Sequence, residues 1–254
     1  VKIGGYSHFN GITFFCDVFK IKGSRKKKDI DYSIEWIIPP KWLRNLENKF
    51  ILGGLLTGYY QWKVLSKKMR LLFLFLIGLY FIEEIVDLSY IYNYISFYIG
   101  EFKIHIIVSA LLILIINFKK ILKTFRYHGA EHKAINCFEK HRYVDYYLIK
   151  QSSRFNKRCG SNIVSVFLIV YTPMWFLDID SLTVTVIIFL ISVQIIRFLS
   201  TKNYKWNKYI QLLQWVTVLE PKDDELKVAV NTFNKLLQGY NIYKYESKNR
   251  IKSS

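Results

Sequence analysis

Residues 163–177 read IVSVFLIVYTPMWFL and residues 181–196 read SLTVTVIIFLISVQII, with only Asp178, Ile179 and Asp180 between them. Whether such runs are membrane spans or buried helices decides the fold class. Two more behave alike. Residues 71–82 carry no charge before Glu83, Glu84 and Asp87, and residues 104–118 end at Lys119 and Lys120. Each run is shorter than the roughly 20 residues that cross a bilayer core of about 30 Å, but flanking Tyr, Trp, Lys and Arg can extend it at the interface. The competing reading is four buried helices, which apolar runs of about 10–14 residues often are.

Composition sharpens the choice. The chain has 254 residues, 37 Lys and Arg against 19 Asp and Glu, and a formal charge of +18, yet it is 52% hydrophobic with 19 Tyr, 19 Phe and 6 Trp. A disordered basic tail is excluded, because such chains lack aromatic and branched residues. A mean hydropathy of +0.14 beside 22% charged residues requires the two kinds to be segregated along the chain. They are. If the four runs alternate sides, 36 of the 37 basic residues fall on one side and Lys103 stands alone on the other, beside Glu83, Glu84, Asp87, Glu101, Asp178 and Asp180. The positive-inside rule then predicts an α-helical polytopic membrane protein of about four transmembrane helices, with both termini and the central loop cytosolic. Residues 1–19 lack a basic region followed by an apolar core, so insertion is expected to rest on the internal spans.

The charged segments are expected to form a small mixed α/β cytosolic domain from the N-terminal, central-loop and C-terminal parts. Residues 1–39 are its β-hairpin segment: 12–22 and 29–38 are rich in aromatic and β-branched residues, with a long charged turn between, and Gly4, Gly5 and Gly11 punctuate the entry. Pro39 and Pro40 end the strand, and residues 40–70 follow as a basic amphipathic helix, lying on the inner leaflet or packed on the domain. Residues 71–118 are spans one and two, 119–162 the central loop, and 163–200 spans three and four. Residues 201–254 form a helical segment and tail. There, Pro221 with Asp223, Asp224 and Glu225 marks a helix start. Leu226, Val230, Phe233 and Leu237 give that helix an apolar face, Gly239 can close it, and 244–254 look like a solvated tail. Cys16, Cys137 and Cys159 would all be cytosolic and reduced, so thiols or ligands.

One constellation can carry chemistry. Residues 127–139 read YHGAEHKAINCFE. On a helix, His128 and His132 share a face at a separation one divalent ion can bridge, and Glu131 stands beside the second histidine. This is the H-x-x-E-H order of inverted zinc proteases, in which two histidines hold the metal and the glutamate polarises its water. Cys137, Cys159, Glu139 or His141 could supply a third ligand and leave one position open for water. Two histidines four apart also occur as plain polar surface.

The same stretch resembles the central signature of the YqhQ-like family of uncharacterised bacterial membrane proteins, some of which are described as predicted metal-dependent enzymes. Gly4, Gly5 and Gly11 match its amino-terminal motif. Ser153, Arg154 and Phe155 with Arg158, Cys159, Gly160 and Ser161 match its second loop motif. Thr217, Glu220, Pro221, Asp223, Asp224, Val228 and Ala229 match its carboxy-terminal motif. The resemblance covers nearly the whole chain and implies residence in the bacterial cytoplasmic membrane. Two departures stand out. Asn10 replaces a glutamate of the family pattern, and Asn156 with Lys157 replaces His-Pro. Both exchange a group able to bind metal or a proton for a neutral one, which implies a weakened site and an N-terminal segment folded onto the central loop.

The expectation that follows is a non-catalytic membrane accessory that binds other membrane proteins or the insertion machinery through its basic cytosolic domain, with anionic lipids or ribosomal RNA as further partners. The alternative is a zinc-dependent hydrolase in which His128, His132 and Cys159 hold the ion and Glu131 is the general base. A transporter is disfavoured, since no span carries an ionisable residue at its middle.

Overall fold

The computed structural model describes residues 3–27, 29–46, 53–65, 67–85, 89–179, 181–201 and 210–252. Asp87, Asp180 and the 202–206 opening of the C-terminal segment lie outside them. The chain begins with four antiparallel strands in sequence order, β1 (Gly4–His8), β2 (Gly11–Phe15), β3 (Phe19–Lys26) and β4 (Asp29–Trp36). Nine helices follow among the described residues: α1 (Lys41–Arg44), α2 (Gly53–Val64), α3 (Lys67–Ile85), α4 (Ser89–His141), α5 (Tyr146–Gln151), α6 (Gly160–Phe176), α7 (Leu182–Thr201), α8 (Leu212–Thr217) and α9 (Asp223–Lys252).

The expected two-strand hairpin is in fact a meander. Residues 12–22 break at Cys16, whose N–H donates to the Phe19 carbonyl at 3.0 Å and turns the chain. The charged turn is short: Lys26 pairs with Asp29, and Lys27 takes φ 56 between them. Lys20 and Glu35 are cross-strand partners joined at 2.8 Å, and the β4 edge carries Asp29, Asp31 and Glu35, charges that discourage further strands from adding. The single amphipathic helix expected over 40–70 is divided into α1, α2 and the start of α3.

The second half of α4 and the long α9 pack on the sheet, α4 against β1 and β2 and α9 against β2, β3 and α4. Ile12, Phe14 and Ile21 from the sheet meet Tyr127, Ala130 and Ala134 from α4 and Leu226, Phe233 and Leu236 from α9 in one buried core. The start of α9 is capped by its own acid, since the Lys222 N–H donates to Glu225 Oε2 at 2.8 Å, half of a capping box. Gly239 does not end α9. It passes close over Phe19, where a Cβ would come within 3.0 Å of the ring, and the helix continues through the expected tail to Lys252.

The apolar runs do not build the four-span fold. Among the described residues, no helix is long and apolar enough to cross a membrane. This overturns the polytopic architecture, the transmembrane helices and the multi-pass placement in the bacterial cytoplasmic membrane. The physical reason lies in how the runs are incorporated. Helix α6 has 17 residues with Pro173 inside it, about 26 Å at 1.5 Å per residue. The flanks that were to lengthen the first run are charged: α3 opens on Lys67, Lys68 and Arg70 and closes beside Glu83 and Glu84. The 104–118 run has no end of its own, because α4 continues for 53 residues through the motif. Helices α6 and α7 pack on each other, with Val166, Ile188, Ser192 and Ile196 among their buried residues.

Candidate metal centre

Because α4 runs unbroken through residues 127–139, His128 and His132 lie one turn apart on one face, their ring centroids separated by 4.4 Å. Cys159 arrives from a loop and forms the N-cap of α6. Amides hold that loop in place. Asn136 donates to the carbonyls of Ser153 and Phe155 at 2.7 and 2.9 Å, and Asn156 donates to Asn136 Oδ1 at 2.9 Å. Gln214, fully buried on α8, accepts from the Asn156 N–H at 3.0 Å and donates to the Asn156 carbonyl at 2.7 Å and to Asn162 Oδ1 at 2.6 Å. One donor atom each from His128, His132 and Cys159 then lie within 4.8 Å of one another.

Hydrogen bonding fixes the state of those atoms. His132 Nδ1 is 2.6 Å from the Arg154 carbonyl and His128 Nδ1 is 3.1 Å from the Thr217 carbonyl. A carbonyl only accepts, so each Nδ1 carries the proton and each neutral ring keeps its lone pair on Nε2. Burial favours that neutral form, lowering His128 below its usual range and His132 to about 3. Cys159 Sγ lies 3.4 Å from His128 Nε2 and can donate to it. Ser161 supports the sulfur through its hydroxyl at 3.0 Å and its backbone N–H at 3.4 Å. Burial pushes the thiol up to about 11, so without a cation it stays protonated; a cation would displace that proton, and the α6 N-terminus favours the resulting thiolate.

Two glycines make room. Glu131 is buried, desolvation pushes its carboxyl up to about 8, and its Oε2 has no hydrogen-bond partner. It fits under β1 because residue 5 is glycine, where a Cβ would come within 2.7 Å of Glu131 Cγ. Gly129 lies against the Leu219 carbonyl at a distance no Cβ tolerates, which lets the 217–221 segment reach His128.

The other residues singled out in the sequence lie elsewhere. Cys137 is in the core, its thiol 3.6 Å from the Tyr143 carbonyl, and His141 stacks edge-on with Tyr143 at 6.3 Å. Glu139 pairs with Arg158 at 2.8 Å, Glu220 with Lys133 at 2.7 Å and Asp223 with Lys150 at 2.8 Å. Asn10 sits in the β1–β2 turn, where its carbonyl accepts the Arg25 N–H at 2.7 Å. Asn156 is a loop fastener, its Oδ1 accepting the Arg158 N–H at 2.7 Å. Sequence reasoning missed Gln214 and Asn162; the available signal was weak, because the apolar stretch 210–218 carries two amides, Gln211 and Gln214, and spacing does not say which is buried.

A family model described as "Protein of unknown function (DUF1385)" matches residues 56–239. The Uncharacterized protein YqhQ of Bacillus subtilis (strain 168) is 34% identical over 132 residues, which cover 46% of this chain and 42% of that protein's length. No solved structure matches the chain.

Proposed function

The chain belongs to this family of proteins of unknown function, and we propose that it is a zinc-dependent hydrolase whose ion is held by His128 Nε2, His132 Nε2 and Cys159 Sγ. The observation that carries the reading is the convergence of three donors within 4.8 Å, with both imidazoles held by backbone carbonyls in the tautomer that keeps the lone pair on Nε2. Metal-binding histidines are held in this way, through the nitrogen that does not bind the metal. Three protein ligands leave a fourth position open, as catalytic zinc requires. Zinc there would supply Lewis-acid polarisation of the scissile group.

Glu131 has the complementary role. A neutral carboxyl oxygen buried without a partner costs about 1–3 kcal/mol and a charged one more, so its retention calls for a reason, which a catalytic role supplies. Glu131 acts on the Cys159 sulfur electrostatically, so a cation held there would favour its ionised form. As a carboxylate, Glu131 would take the proton from the attacking water and return it to the leaving atom as the bond breaks, so that water is added across the bond and the carboxylate is regenerated. Gly5 on β1 leaves the space that the Glu131 side chain occupies. The accessory role expected from the sequence presupposed a membrane-embedded architecture and loses that premise.

The test uses the full chain, with zinc measured by elemental analysis and hydrolysis assayed on an ester, peptide and phosphodiester panel. Glu131→Gln should retain zinc while losing about 100-fold or more in turnover. A His128→Ala, His132→Ala double variant should lose both. Near-zero metal in the wild-type protein, or full activity in Glu131→Gln, would defeat the proposal.

A further inference from the structure

We propose that the cleft between α4 and the start of α9 binds a phosphorylated group. The cleft has a volume of about 330 Å³ and is lined by Lys119, Leu122, Lys123, Arg126, Lys222 and Glu225. Lys119, Lys123 and Arg126 stand at positions i, i+4 and i+7 of α4 and therefore share a face, an arrangement that like-charge repulsion disfavours unless something compensates it. Lys222 faces them from the residue before α9.

The acids nearby provide that compensation only in part: two are committed elsewhere, and the third, Glu225, lines the cleft as its single carboxylate. Asp223 pairs with Lys150 at 2.8 Å and Asp224 with Arg25 at 2.7 Å, while Glu225 Oε2 accepts the Lys222 N–H at 2.8 Å. None of the four lining cations is in an ion pair among the described residues. Beneath Lys123, whose ammonium lies 5.9 Å from the Tyr127 ring centroid, the Tyr127 hydroxyl is buried without a hydrogen-bond partner.

Four cations against one carboxylate suit a dianion better than a single carboxylate. The arginine fork and the lysine point charges are the usual partners of phosphate oxygens. The lining contains no aromatic ring on which a base could stack, so the recognised feature is the phosphoryl group rather than a nucleic-acid strand. The site is independent of the metal reading.

The experiment measures binding by the full chain of pyrophosphate in solution, by calorimetry, and of phosphatidylglycerol and phosphatidylcholine vesicles, by sedimentation. Wild type is compared with Lys123→Glu, Arg126→Glu and with a control of equal charge, Lys140→Glu, Lys248→Glu, at exposed lysines away from the cleft. Circular dichroism reports folding, and Lys119→Gln, Lys123→Gln is the milder substitute if the reversal unfolds the chain. The cleft variant should bind about tenfold or more weakly, with little change in the control. Cleft-dependent binding of pyrophosphate assigns a free phosphorylated ligand, and cleft-dependent binding of phosphatidylglycerol vesicles alone assigns a lipid headgroup. No binding of either, or equal loss in the control, overturns the proposal.

Discussion

Around the second half of α4, Glu131, His132, Lys133, Asn156 and Gln214 are 5, 1, 5, 5 and 0% exposed, whereas Leu71 on α3, Ile116 near the end of the α4 apolar run and Phe176 on α6 are 70, 76 and 74% exposed. One region buries polar groups and the other displays apolar ones. The buried polar groups are there because partners are available. Lys133 donates to the Lys150 carbonyl at 2.9 Å and pairs with Glu220, and Asn156 is held from four sides. The exposed leucines and isoleucines lack an opposing layer among the described residues. A side chain's location here follows from what the rest of the chain brings to it, and only loosely from its own polarity.

The comparison breaks most readily at the core that supports the polar region. Phe233 is fully buried, with its ring 4.9 Å from Phe14 and 5.3 Å from Phe138. Phe233→Ala should cost about 3–5 kcal/mol in denaturant unfolding; a loss below 1 kcal/mol would mean that α9 does not close the sheet.

Next comes a pH effect. Burial, with Lys22 adding to it, lowers His8 from 6.5 to about 4, and its Nε2 is 3.2 Å from Thr13 Oγ1. The unfolded chain therefore binds this proton where the folded chain does not. The contribution of neutral His8 is complete above pH 6.5 and is lost as pH falls towards 4, up to about 3 kcal/mol. Stability measured against pH should fall more steeply across that window in the wild type than in His8→Gln; parallel curves would contradict the assignment.

Asn156→Ala should cost about 1–3 kcal/mol, because Asn136 and the Arg158 N–H lose their partner inside a packed loop. It should also weaken metal binding, by freeing the loop that carries Cys159. The smallest effect belongs to the apolar region: Ile116→Gln should change stability by no more than about 0.5 kcal/mol. A large loss there would show that this face is covered by something.

The contrast also explains what the sequence could and could not disclose. The His128, Glu131 and His132 arrangement was legible because a continuous helix converts a spacing of four into a shared face without help from the rest of the fold. The α9 start was legible for the same local reason, with Pro221, the acids and the Glu225 cap all within one turn. Cys159 could be proposed but not chosen over Cys137 from spacing, since the choice depends on a loop fastened by Gln214 from 55 residues further on. The four spans were misread because charge sorting has a second cause. The described parts of the three charged segments contribute to one sheet-and-helix unit, which by itself sets them apart from the apolar runs. The strand break at Cys16 was hidden because the turn contains neither glycine nor proline.

If two Nε2 lone pairs and the Cys159 sulfur form one metal site, cobalt reports on it, because a thiolate bound to Co(II) absorbs in the near ultraviolet. Titration of the metal-stripped full chain should produce that band to saturation at one equivalent. Cys159→Ser should abolish it, and Cys137→Ser should leave it intact. A spectrum without thiolate absorption, or one lost equally in both variants, would contradict the site.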